Sequence, residues 1–162
     1  MKRTKPKAGQ ESVWDYPRPP RLEAVSPHVR VVFQDIVIAD TSQARRILET
    51  SHPPVYYLPP GDIRTEYLKK NGHQSFCEFK GMAGYYNLEV NGLHVTNAAW
   101  FYPNPVPQYA ELKDYLAFYP SKMSACYVGD ERVRAQEGDF YGGWITDNIV
   151  GPFKGGAGTW GW

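Results

Sequence analysis

The chain has 162 residues, a formal net charge of +1 and two cysteines. That length fits one domain with its own core, and so small a charge lacks the basic footprint of a nucleic-acid binder. Two cysteines are too few for a disulfide scaffold, and no apolar run approaches the roughly 18 residues of a membrane helix.

These features point to a soluble, cytoplasmic protein that engages neither nucleic acid nor membrane. Cys77 and Cys126 read as small buried hydrophobes, with a single Cys77–Cys126 bridge as the alternative. The basic start at Lys2, Arg3, Lys5 and Lys7 continues into Ala8, Gly9 and Gln10, not into an apolar stretch. It reads as a disordered tail, with no secretory signal. Aromatic content is high, with 12 Tyr, 7 Phe and 5 Trp. Tyr and Trp carry a polar handle that needs a partner, so they favour pockets and interfaces as well as cores.

Residues 1–28 form an extended N-terminal segment, because Tyr16-Pro17-Arg18-Pro19-Pro20 supports neither helix nor ladder. Trp14 and Tyr16 would pin it to the body. Residues 29–162 then read as a single β domain. Strands over 30–33 and 36–39 flank Gln34-Asp35, a two-residue hairpin connection. Asp40, Thr41 and Ser42 start a first short helix, with Ala44, Ile47 and Leu48 on its buried face, and His52-Pro53-Pro54 ends it.

Residues 55–58 read as a strand closed by Pro59-Pro60-Gly61. Asp62 caps a second short helix, with Ile63 and Tyr67 on one face and Asn71-Gly72 as its stop. Residues 84–90 and 93–101 form a hairpin around Asn91-Gly92, whose type I′ turn needs positive φ at both positions. Strands over 115–119, 123–128 and 131–134 follow. From Gly138 onward lie 8 of the 15 glycines, interleaved with Phe140, Tyr141, Trp144, Phe153, Trp160 and Trp162. Residues 134–162 read as an aromatic-anchored tail wrapped over the sheet. The fold class is mainly β, an antiparallel rolled sheet with two short helices.

Several motifs fail on context. Gly156-x-Gly158-x-x-Gly161 matches a dinucleotide fingerprint, but only Trp162 follows where a helix is required. Gly151 and Gly156 have phosphate-loop spacing without the lysine and Ser/Thr. No Cys-x-x-Cys exists and the four histidines are scattered, so neither metal nor cofactor is expected. Asp40, Glu49 and Asp62 remain as acids near turns, and Glu49 at a helix C-terminus would oppose the dipole. Lys80-Gly81-x-Ala83-x-Tyr85 combines small residues that let a ligand approach with a cation and a ring.

Further matches then run in order along the chain. They are Asp40 after Ile38-Ala39, Glu49, Pro54-x-Tyr56-Tyr57-x-Pro59-x-x-Asp62, and Cys77-x-x-Lys80-Gly81-x-Ala83-x-Tyr85. Asn97-Ala98-Ala99-Trp100-x-Tyr102-Pro103-x-Pro105 and Ala117-Phe118-Tyr119 complete them. This pattern, over roughly residues 30 to 134, resembles the domain of unknown function 427 family. The tail from Phe140 is similar to that of a longer bacterial variant. The resemblance implies a β-rich fold of the Mss4-like or β-tent kind. Many proteins of that kind hold zinc through Cys-x-x-Cys pairs, which are missing here. It also brings a nucleotidyltransferase label, although the Gly-Ser and paired carboxylates of such enzymes are absent.

Three functions follow. The first is a small-molecule-binding domain whose pocket is lined by Tyr57, Tyr85, Trp100 and Tyr102. If it is catalytic, Glu49 or Asp62 is the general base and Lys80 the electrostatic stabiliser. The second is nucleotidyl transfer. The third is an interaction module whose aromatic tail docks to a partner or to a second copy, as in a homodimer.

Overall fold

Short runs of β-branched and aromatic residues, cut by glycine, proline and asparagine turns, favour strands over helices. The computed structural model describes residues 1–138 and 140–162. No α-helix occurs among the described residues; helical content is limited to short 3₁₀ turns. No helix is long and apolar enough to cross a membrane.

The first strands are β1 (Glu11–Ser12), β2 (Arg21–Ala24), β3 (Val29–Phe33), β4 (Ile36–Thr41), β5 (Arg45–Leu48) and β6 (Val55–Tyr57). Next come β7 (Leu68–Cys77), β8 (Gly81–Val90), β9 (Leu93–Phe101), β10 (Leu116–Phe118) and β11 (Ala125–Val128). The tail adds β12 (Glu131–Arg132), β13 (Arg134–Ala135), β14 (Trp144–Ile145) and β15 (Ile149–Val150). Three antiparallel sheets carry the fold, in spatial order β2-β5-β6, β12-β11-β3-β4 and β10-β9-β8-β7. The parallel pair β1–β15 joins the two ends of the chain to each other, and the antiparallel pair β13–β14 forms within the tail. A mainly antiparallel β architecture is therefore what forms.

Both two-residue hairpin turns fold as read. Gln34 and Asp35 have φ of 51° and 63°, and Asn91 and Gly92 have 50° and 81°. Paired positive φ is the mark of a type I′ turn, whose twist matches that of the strands. Trp14 and Tyr16 pin the N-terminal segment: the Trp14 indole donates to the Pro152 carbonyl at 2.9 Å, and Tyr16 is buried in a cluster with Leu48 and Ile149. The basic start makes contacts too, with Thr4 N–H donating to the Gly151 carbonyl and Arg3 lying over Trp14. Both cysteines are free, and Cys126 is buried.

The two expected helices are corrected. Arg45–Leu48 is β5, the central strand between β2 and β6. A segment this short cannot meet the cost of helix nucleation, whereas strands on both sides satisfy its backbone. The supposed capping residues close β4 instead, where the Thr41 hydroxyl accepts from Gln43 N–H at 2.9 Å. In place of the second helix stand 3₁₀ turns at Pro60–Asp62 and Thr65–Tyr67, followed by β7. Asn71-Gly72 is not a helix stop but part of an irregularity in β7 between Lys70 and Gln74. The Asn71 amide donates across the sheet to Asn87 at 2.6 Å and Asn97 at 2.5 Å. β2 also lies inside the segment expected to be merely extended.

Period-two alternation sorts side chains between two buried clusters. Tyr56, Leu58, Leu88, Val90, Ala99, Leu116 and Phe118 face the main core. Their neighbours Tyr57, Tyr85, Trp100, Ala117 and Tyr119 face the other way, into a second, ring-rich cluster. Leu58 and Leu116 exchange backbone hydrogen bonds at 2.8 and 2.9 Å, which join the β6 sheet to the β10 sheet. The tail contributes Trp144, 1% exposed and stacked on Tyr56 at 4.9 Å, with its indole donating to the Phe118 carbonyl at 3.2 Å.

Trp144→Ala removes that ring and its hydrogen bond. The expected loss is about 3 to 5 kcal/mol, as for other buried aromatic truncations, measured by urea unfolding. A loss below about 1 kcal/mol would show that the tail packs without supporting the core.

Candidate functional site

The ring-rich cluster does not fill its space. Its members line a cavity of about 300 Å³, at the low end of the range of ligand pockets. Six of the seven site residues expected from sequence line it: Glu49, Tyr57, Lys80, Tyr85, Trp100 and Tyr102. Asp62 does not. It lies at the end of a 3₁₀ turn, exposed, and accepts the Thr41 hydroxyl at 2.7 Å. Only Glu49 of the two proposed bases therefore faces the cavity. The strand that replaced the first helix carries the chain to Glu49 just after β5, and Tyr57 projects from β6 beside it.

Rings set the walls. Trp100 meets Tyr119 at 4.6 Å and Tyr57 edge-on at 6.2 Å. The Trp100 indole donates to the Tyr57 hydroxyl at 3.3 Å, and the Tyr85 hydroxyl bonds Ser75 at 2.7 Å. Burial raises the pKa of Tyr57, Tyr102 and Tyr119 alike, so these phenols are neutral.

Lys80 sits between β7 and β8 and is only 7% exposed. Its ammonium lies 5.9 Å from the Tyr102 ring centroid and beside Cys77. Burial pushes its pKa down, but Tyr57, Cys77 and Glu49 outweigh burial, and the net direction is upward. Of these three, only Glu49 carries a carboxylate. It acts at a distance, because Glu49 is engaged by Arg18 at 3.5 Å and approaches His52 at 3.7 Å.

His52 is held neutral. Burial, then Lys154, Arg18 and Lys80, lower its pKa from 6.5 to about 4. Its approach to Glu49 is thus a contact between a neutral ring and a carboxylate, since burial and three cations outweigh one anion. Gln136 sets the tautomer. Its carbonyl oxygen accepts from Gly143 N–H at 3.1 Å, and its amide nitrogen donates to the Lys154 carbonyl at 2.7 Å. The same nitrogen lies 3.4 Å from His52 Nδ1, so Nδ1 accepts and Nε2 carries the proton toward Glu49.

Sequence reasoning missed His52, Gln136, Tyr119, Tyr141 and Lys154, all of which line the cavity. Tyr119 was legible, since it follows Phe118 just past β10 in extended conformation and takes the opposite face. The tail residues were not, as no local pattern says which of them folds back. Gly142 is the seat of that fold: a Cβ there would stand 2.3 Å from the Trp100 ring. Only glycine permits so close an approach.

A sequence model described as Domain of unknown function (DUF427) matches residues 21–129, more than half of the chain. The chain belongs to that family. No curated protein matches it. The DUF427 region runs from β2 past β11 and supplies Glu49, His52, Tyr57, Lys80, Trp100 and Tyr102. Gln136, Tyr141 and Lys154 come from beyond it. Among the described residues no group of three or more His, Cys, Asp or Glu side chains is placed to hold a metal ion.

Because the folded pKa of His52 lies below its unfolded value, the unfolded chain binds the extra proton between about pH 4 and 6.5. Stability from this residue is present above pH 6.5 and falls as pH drops toward 4, by up to roughly 3 kcal/mol. The imidazole Cε1–H resonance should stay flat from neutral pH down to about pH 5. Denaturant unfolding against pH should lose this component in His52→Gln. A midpoint near 6.5 in the folded protein would contradict the positive local potential.

Proposed function

We propose that this DUF427 domain binds a small organic molecule in the ring-lined cavity. One observation supports the reading above all. Side chains from β6, β8 and β9 and from the loops after β5 and β7 converge on one hollow, joining apolar walls to few polar groups. Rings scattered through a core would leave no such space. Within this reading Glu49 is the group placed for general-base chemistry, and Lys80 for stabilising negative charge. The cavity size favours a one- or two-ring ligand over a polymer segment.

A thermal-shift screen of a metabolite library tests this directly. A ligand at about a hundredfold excess over its Kd should raise the melting point by roughly 5 to 10 °C. Ser75→Phe, which fills the cavity from β7, should abolish the rise and still melt cooperatively. A library without hits would sink the proposal. A response confined to a nucleoside triphosphate with Mg²⁺ would move the function to nucleotidyl transfer instead.

A further inference from the structure

Lys80 poses an electrostatic problem that the fold leaves open. A buried ammonium is costly unless paired, yet among the described residues no carboxylate stands within ion-pair distance of it. Its neighbours are a thiol, a ring and a neutral phenol. Glu49 is already matched by Arg18. A second cation, Lys154, lines the same cavity, with its ammonium 5.8 Å from the Tyr141 ring centroid and one long hydrogen bond, 3.4 Å, to the Trp162 carbonyl. Tyr141 in turn packs on His52 at 5.3 Å. Glu78, the other acid on the lining, is exposed. Among the described residues the cavity is therefore short of negative charge.

We infer that the ligand carries an oxyanion, carboxylate or phosphate, on a planar apolar body, with the oxyanion taken by Lys80 and Lys154 and the body by the rings around Trp100. This rests on the binding reading above and names the substrate class for it. Lys154 then acts as a specificity-determining residue contributed by the tail, outside the residues that match the family. The depressed pKa of His52, shifted by cations alone besides burial, agrees with a positive interior.

The test is calorimetry on the full chain with four probes that share one phenyl ring: benzoate, phenyl phosphate, benzamide and benzylamine. One or both anions should bind, and which one does tells carboxylate from phosphate. Benzamide and benzylamine should bind at least about thirtyfold more weakly, as expected when a buried charge loses its partner. Lys80→Met and Lys154→Met should each weaken the preferred anion by a similar factor. Lys80→Met should also raise the melting point of the unliganded protein, since it removes an unpaired buried charge. Equal binding of benzamide, a preference for benzylamine, or unchanged anion affinity in Lys154→Met would overturn the inference. So would the failure of both anions, while library hits would then leave the binding reading standing. If Lys80→Met does not fold, Lys154→Met alone decides.

Discussion

Two backbone hydrogen bonds between Leu58 and Leu116 hold the β2-β5-β6 sheet against the β10-β9-β8-β7 sheet. Everything proposed for this molecule depends on that join. Across it the alternation of β6 stays in phase with that of β10, so Leu58, Leu116 and Phe118 share the core side. Tyr57, Ala117 and Tyr119 share the opposite side. A slip of one residue would exchange the two sets. The aliphatic core and the ring-lined hollow are thus two faces of one register.

The hollow is held open by polar geometry as well as by rings. Gln136 donates toward both the Lys154 carbonyl and His52, and accepts from Gly143. With every amide position used, it fixes the tail, the imidazole tautomer and the position of Lys154 together. Buried polar networks of this kind are favourable only when fully satisfied. Lys80 is the exception beside it, a buried charge with no carboxylate in ion-pair distance among the described residues. Such exceptions to local consistency concentrate at functional sites.

The tail has two characters. Trp144 and Ile149 are buried and belong to the packing, and Tyr141 and Gly142 form part of the cavity wall. Trp160, 90% exposed, and Phe140, 66% exposed, carry their rings in solvent. The segment therefore completes the wall of the molecule's own cavity. It lies beyond residues 21–129, so the wall it builds comes from outside the residues matched to DUF427.

By itself the sequence determined the β class, the Gln34-Asp35 and Asn91-Gly92 turns, and the rings and lysine that share the cavity. These are local matters: positive φ at paired turn residues, and strand periodicity that sends alternate side chains to one face. Tertiary structure alone decided that Ala44, Ile47 and Leu48 join a strand, although their spacing suits a helix equally well. The sheet provides hydrogen-bond partners on both sides of β5, and four residues cannot reach comparable stability in isolation. It likewise separated Asp62 from Glu49 and brought Gln136 and Lys154 to His52. Those outcomes rest on contacts between residues far apart in the chain, which no local pattern encodes.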